Sequence, residues 1–470
     1  MRNLIKNFGA FSVGPLVGAV IGFITVPLIT YFISPDEYGR ASMFTLAQST
    51  VSTVIYLGMD QAFVREYNAY KKDIGRLLSN AIIIPLFIAC ITSILIVVFS
   101  GPISRILFGT DNEFIAVLGL AILLPFMVIE NFSLLTIRMK EKGRQYSFFT
   151  ILLKTTILAL TVLLFLLYEK SFRSVVYAAA LAEILNGLLL IVIVLRKQNL
   201  SVEYIEKKTI QRMLRFGLPL VPAFAIGWIL TSMDKVMLRT LCTYEELGLY
   251  SAAFKIVSIL SIVQTCFSLY WTPVAYRWYE QQKDERNYEL VGHIVALGMT
   301  VMCLGILLFK NLVGIILGPG FRSAIAIFPF LLLHPILYTI SEATAVGIGF
   351  KRKTGYNIII SAISGGTNIL LNWILIPVLG GVGAAIATGL SYVAFFWGRT
   401  IVSSFIWYKM HMKLYALLIA IIIVNCYVHT FFTGPMPYLV TAVSLLIMCG
   451  VVWIYIKKHD IIRRVKENDF

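Results

Sequence analysis

The chain has 470 residues, of which 59% are apolar and only 14% charged, against about a quarter charged in a soluble domain. That composition excludes a soluble enzyme. It also excludes a nucleic acid as partner, although 40 Lys and Arg against 24 Asp and Glu leave a net charge of +16, because the placement of the basic residues has another explanation, given below.

Apolar runs of about 18 to 25 residues recur along the chain, each long enough to cross a hydrocarbon layer of roughly 30 Å as a helix. Lipid offers no partner to an unpaired peptide group, so these runs must be helices. In chain order the pattern predicts spans over 10–33, 41–59, 77–99, 115–137, 146–168 and 174–195, and then a polar link at about 196–215. Further spans follow over 216–240, 248–270, 290–309, 323–345, 356–376 and 382–404, with a final pair over 414–430 and 437–456. The expectation is an all-α integral membrane protein of about fourteen transmembrane helices. An even number puts both termini on one side. Most of the 40 basic residues then fall on loops of that side, among them "REYNAYKKDIGR", "RMKEKGR" and Lys351 to Lys353, so both termini are expected in the cytoplasm. The amino terminus carries no small-residue cleavage site, and the first helix is expected to direct insertion.

Two loops echo one another: "SPDEYG" at Ser34 to Gly39 and "TYEELG" at Thr243 to Gly248. With an offset of roughly 210 residues, Phe8-Gly9 falls near Phe216-Gly217, and "VREY" at Val64 lies over "YRWY" at Tyr276. "RILFG" at Arg105 likewise meets "GIILG" at Gly314, Pro125-Phe126 meets Pro329-Phe330, and Tyr146 meets Tyr356. The ordered series reads as a duplication: two pseudo-symmetric six-helix lobes, residues 1–200 and 201–410, then two additional helices and a cytoplasmic tail over 411–470. The competing explanation is that short loops simply need Gly and acids.

A charge at mid-span costs at least about 2.5 to 3.5 kcal/mol, so each one present is a functional candidate. Glu130, Lys154, Glu183, Asp234, Lys235, Lys255 and Glu342 fall within the spans. Lys154 and Lys255, one in each lobe, are candidates to hold an anionic substrate. Their ordinary readings are an ion pair of Lys154 with Glu130 or Glu183, and snorkelling of Lys255 to the surface. Asp234 and Lys235 are either substrate-binding or an internal pair. Arg65 and Arg277, at equivalent places after the second and eighth spans, would receive the substrate at the cytoplasmic mouth or serve as positive-inside anchors. Glu130 and Glu183 are candidates to bind a coupling ion, or a structural pair. Pro15 and Pro27 in the first span, with Pro219 and Pro222 in its copy, mark helices expected to bend.

The six cysteines stand singly, without the spacing of a disulfide framework or metal site, and no Gly-rich phosphate loop or nucleophile motif is present. Neither catalytic residues nor a cofactor are expected. "GGTNILLN" and "GGVGAAIATG" read as surfaces for close helix packing.

A basic amino terminus, "NFGAFSVGPLVGAVIGFITVPLITYFISPDEYGRASMF", "GMDQAFVREY", "MDKVML" leading into "ELGLYSAAFKIV", and "NILLNWILIPVLGGVGAAIAT" together resemble the polysaccharide transporter branch of the multidrug, oligosaccharidyl-lipid and polysaccharide exporter superfamily. The resemblance covers essentially the whole chain. It implies a flippase of the bacterial cytoplasmic membrane that carries undecaprenyl-diphosphate-linked oligosaccharides, such as O-antigen repeat units, to the outer leaflet by alternating access of two lobes. It further implies membrane lipids, a polysaccharide polymerase and glycosyltransferases as partners, and an acid followed by a base where Asp234 and Lys235 stand. The alternative within the superfamily is an ion-coupled multidrug exporter.

Overall fold

A computed structural model describes the backbone of residues 2–459 and the side chains of residues 13–453. The described residues are helical throughout, with no strand. They divide into two compact units, Met1–Lys235 and Val236–Phe470.

The first unit comprises α1 (Arg2–Phe32), α2 (Pro35–Ile55), α3 (Met59–Glu66), α4 (Ile74–Val98), α5 (Ser100–Phe108), α6 (Phe114–Met139), α7 (Gly143–Leu167), α8 (Phe172–Ile193) and α9 (Lys207–Gly217). It also holds most of α10 (Val221–Leu241). Helices α4, α6 and α8 pack side by side, α7 joins α8, and α1 lies along α7. The second unit contains α11 (Tyr244–Val257), α12 (Leu260–Glu280), α13 (Glu285–Leu308), α14 (Asn311–Leu317), α15 (Ala324–Leu331), α16 (Leu333–Thr344) and α17 (Val346–Phe350). It closes with α18 (Gly355–Ile406), α19 (Lys413–Phe431) and α20 (Met436–His459). There α16 packs against α13, α15 and α18, α15 and α13 pack against α19, and α20 covers α13 and α19.

Twelve helices among the described residues are long and apolar enough to cross a membrane, and the protein is a multi-pass membrane protein. All fourteen expected spans fall on helices, and the two counts differ for two physical reasons. Helix α2 carries too many hydroxyls to qualify by hydropathy, and the 52-residue α18 is two helices joined at Gly380, whose φ of 56° and ψ of −132° are non-helical. The eighth span is broken after Val257 into α11 and α12, and the seventh is interrupted by a 3-10 turn at Leu218–Leu220 that contains Pro219. In α1 the helix runs through both Pro15 and Pro27.

The repeated loop has one structural role in both units. Ser34 Oγ accepts the Glu37 N–H and Thr243 Oγ1 accepts the Glu246 N–H, each at 3.3 Å, so each loop caps the helix that follows. The acid then reaches across its unit. Glu37 Oε2 accepts the N–H of Phe172, first residue of α8, at 2.5 Å. Glu246 Oε2 accepts the N–H of Gly381, where α18 resumes after its kink, at 2.7 Å. Both partners lie 135 residues downstream. One carboxylate thus satisfies an orphan amide at a helix start, where the dipole also favours a negative charge.

The division between units falls inside α10, not in the polar link at 196–215. That link is fastened to the first unit: buried Asn80 accepts the Glu206 N–H and donates to the Tyr204 carbonyl, both at 2.7 Å. Ser79 Oγ accepts the Ser201 N–H at 3.3 Å, and Arg76 pairs with Glu206.

Candidate functional site

Helix α2 and the first turns of α3 and α10 enclose a groove of about 480 Å³ in the first unit. Ser49, Ser52, Thr53 and Tyr56 line it from α2 and its end, with Asp60 and Gln61 from α3 and Trp228 and Thr231 from α10. The hydroxyl hydrogens are spent inside the helices. Ser49 donates to the Leu46 carbonyl at 2.9 Å, Ser52 and Thr53 to that of Ser49 at 2.8 and 2.9 Å, and Thr231 to that of Gly227 at 3.1 Å. Their lone pairs remain as acceptors. Gln61 donates to Asp60 Oδ2 at 2.7 Å, while Asp60 Oδ1 and Trp228 Nε1 are buried without a hydrogen-bond partner. The groove is therefore rich in acceptors, with an indole beside them, and it complements a ligand rich in hydroxyl donors.

Near the groove, the turn that leads into α3 crosses the end of α9 closely. Gly58, at the start of α3 with φ of 71°, meets Gly217 so closely that a Cβ on Gly58 would lie 2.4 Å from the Gly217 carbonyl oxygen. Beside it Arg65 stacks on Phe216, with Cζ 4.3 Å from the ring centre.

Glu130 from α6 and Glu183 from α8 come together behind Tyr56. Glu130 is buried and neighbours Glu183 and Asn186, Gln48 donates to Glu183 Oε1 at 3.1 Å, and Tyr56 donates to the Met127 carbonyl at 3.4 Å. Tyr56 lies within electrostatic reach of Glu130, Glu183 and Asp60, which joins the carboxyl cluster to the groove. Lys154, on α7, acts on Glu130 at longer range but forms no ion pair among the described residues. It is exposed, its stem close to Gly18 of α1. Asp234 is buried and Lys235 half-buried on α10, within one turn of Thr231. In the second unit Lys255 is exposed on α11 and Arg277 on α12.

The second unit does not repeat the carboxyl cluster. The offset that aligns Pro125 with Pro329 places His334 on Glu130, and the offset of the repeated loop places Tyr392 on Glu183. These two rings are in contact at a tilt of 39°, centroids 4.3 Å apart, and Phe254 stacks with His334 at 6.0 Å. Glu342 is neutralised by Arg399 at 2.7 Å, which also donates to Ser341 Oγ at 2.8 Å. Sequence reasoning missed Asp60, Trp228 and Arg399. Asp60 sits inside the motif "GMDQAFVREY", next to a Ser/Thr-rich helix whose polarity is the available signal.

Residues 4–277 match the family described as "Polysaccharide biosynthesis protein". The chain is 24% identical over 170 residues to the "Probable low-salt glycan biosynthesis flippase Agl15" of Haloferax volcanii, a match spanning 35% of this chain and 36% of that protein, about a third of its length. Among solved structures, the lipid II flippase MurJ in an inward closed conformation matches with a TM-score of 0.69 at 17% identity, over 95% of this chain and 99% of that one. An inward-facing multidrug resistance MATE family transporter matches with a TM-score of 0.61 at 16% identity, over 83% and 94%. At these identities the likeness is one of fold.

Proposed function

The chain belongs to the polysaccharide biosynthesis protein family, and on that premise we propose that it is a flippase for lipid-linked oligosaccharides. It carries undecaprenyl-diphosphate-linked units from the cytoplasmic to the outer leaflet of a bacterial inner membrane, both its termini being cytoplasmic. Two six-span lobes alternate access, with α1 and α10 bending, and the last two helices stand outside the repeat. It forms and breaks no covalent bond; glycosyltransferases supply its cargo and a polymerase consumes it.

The observation that carries this reading is the acceptor-rich groove of the first unit. A sugar headgroup loses its water on leaving the cytoplasm, and each hydroxyl left unpaired in an apolar medium costs several kcal/mol. Ser49, Ser52, Thr53, Asp60 and Thr231 replace that water, and Trp228 offers the apolar face of a pyranose an aromatic surface. The diphosphate needs a cation that is not already neutralised. Lys154, which forms no ion pair among the described residues, meets that requirement in the first unit; Lys255, exposed on α11, is proposed to add a second positive charge from the second. Asp234, Lys235, Arg65 and Arg277 are proposed to guide the headgroup in, and Glu130 with Glu183 to bind the coupling ion. That carboxyl pair also suits an ion-coupled multidrug exporter, which would expel cationic drugs and ignore glycolipid.

The test is movement of a fluorescent lipid-linked oligosaccharide across liposomes holding the purified chain. Lys154→Ala and Trp228→Ala are each expected to slow it at least about tenfold, the loss of one charge-assisted contact or one stacking surface. Undiminished movement in both variants refutes the site, and drug efflux without glycolipid movement refutes the function.

A further inference from the structure

A second cavity, of about 710 Å³, lies in the second unit at the end opposite the carboxyl end of α20. It is framed by the corner between α13 and α14, the segment after Gly318 and the turn between α19 and α20. Its polar lining includes Lys310, Asn311, Arg322, His429 and Tyr438, with no carboxylate among the lining residues. Lys310 is only 7% exposed and its ammonium donates to the backbone carbonyl of His429, leaving two donors without an acid to meet. Arg322 is exposed and has no ion-pair partner among the described residues. His429, 1% exposed, shares Nε2 with Thr441 Oγ1 at 2.7 Å, and Thr441 donates on to Asn425 Oδ1 at 2.8 Å. The buried Nδ1 of His429 has no partner. Asn311 donates to Tyr438 Oη at 2.8 Å, which closes one wall.

A buried ammonium is stable only when paired, and here the missing partner is an anion. Lys310 and Arg322 also stand on the side of the chain with few basic residues, where the positive-inside bias gives them no reason to be. The segments that frame the cavity also carry exposed apolar side chains, Leu312 and Ile315 on α14, Phe432 after α19 and Leu439 on α20, beside the exposed polar Asn311, Arg322, Ser323 and Thr433 of the lining. A small ion in water would gain nothing from those apolar side chains. A phosphate carried on a hydrocarbon tail would bury its chain against them.

We propose that this cavity binds the phosphate group of a membrane lipid. The site lies outside the groove assigned to the oligosaccharide and goes beyond that reading; the proposed orientation places it at the outer leaflet, but its chemistry does not depend on it.

The test uses the full chain purified in detergent. Native mass spectrometry measures retention of phosphatidylglycerol against phosphatidylcholine, and thermal denaturation measures stabilisation by sodium pyrophosphate against chloride at equal ionic strength. The wild type is expected to retain the anionic lipid preferentially. Arg322→Gln should lower that retention about fivefold, the worth of one interfacial charge, and Lys310→Gln further. Lys283→Gln, an exposed loop charge on the opposite side, should change nothing. Should Lys310→Gln fail to fold, Arg322→Gln and Asn311→Leu decide the matter. Equal retention by wild type and Arg322→Gln overturns the proposal. So does stabilisation by pyrophosphate without preference for anionic lipid, which would make the occupant a free phosphate. Failure of the liposome assay with retention intact would sink the flippase reading and leave this site standing.

Discussion

Glu37 and Glu246 show how one residue can hold a bundle together. Each begins a helix whose cap is a hydroxyl three residues upstream, and each carries its carboxylate to the amide at the start of another helix in the same unit. Truncation leaves that amide unpaired. Glu37→Ala and Glu246→Ala are therefore each expected to lose about 1.5 to 3 kcal/mol, the usual worth of a hydrogen bond to a charged group, with Gln intermediate. Comparable losses in the two variants, read from thermal denaturation in detergent, are expected from their common geometry; a loss in only one would break the equivalence of the two loops. Gly58 works differently. Its positive φ and its contact with Gly217 leave no room for a side chain. Gly58→Ala should cost at least about 1 to 2 kcal/mol from the backbone alone, and Gly217→Ala should also destabilise, since its Cβ would lie 2.6 Å from the Leu57 carbonyl oxygen.

At the scale of elements, the link over 196–215 is a docked strap rather than a free tether, because Asn80 supplies both halves of its amide to Glu206 and Tyr204. Asn80→Ala should open it to protease without unfolding the bundle, and an unchanged cleavage rate would show that the docking is immaterial. The strap should also respond to acid. Glu206 is held below the ordinary carboxylate range, first by its hydrogen bond from Arg76 and then by Thr209. The docking it contributes is complete above the ordinary carboxylate pKa and is lost as pH falls through the lowered value. Cleavage of the strap should thus rise only at strongly acidic pH, and the Glu206→Gln variant should lose this dependence. Helix α2 is the other informative element. Its hydroxyls bond back to the turn above, which makes a polar helix tolerable in the membrane while its acceptors face the groove.

Across the whole molecule, both units carry the same capping carboxylate, but not the same chemistry. The first carries the cluster of Glu130 and Glu183; the second puts two rings in tilted contact in the matching places and cancels Glu342 with Arg399. An ion gradient would then act on the first unit. Replacing Glu130 and Glu183 together by Gln is expected to abolish gradient-driven movement of the labelled glycolipid while slow movement down its own gradient persists. Accumulation that still follows the imposed gradient would remove the coupling role of these two residues.

The amino-acid sequence alone determined the helical class and the spans, because hydrocarbon thickness and the need to pair every peptide group leave a long apolar run few alternatives. It also exposed the charges inside the spans, since each is rare and costly there. Short helices such as α3, α5 and α14 were not legible: seven to nine residues mixing polar and apolar side chains look like a loop to any measure averaged over a span. The groove was not legible either. Ser49 and Thr231 are ordinary helix residues, far apart in the chain, and only packing brought them to one cavity. Partnership was decided at the same level, for Glu342 found Arg399, Lys154 forms no ion pair among the described residues, and the repeated loop proved to be a repeated hydrogen bond. Local pattern reports where a side chain lies along a helix, but which group it meets depends on how the helices are laid against one another.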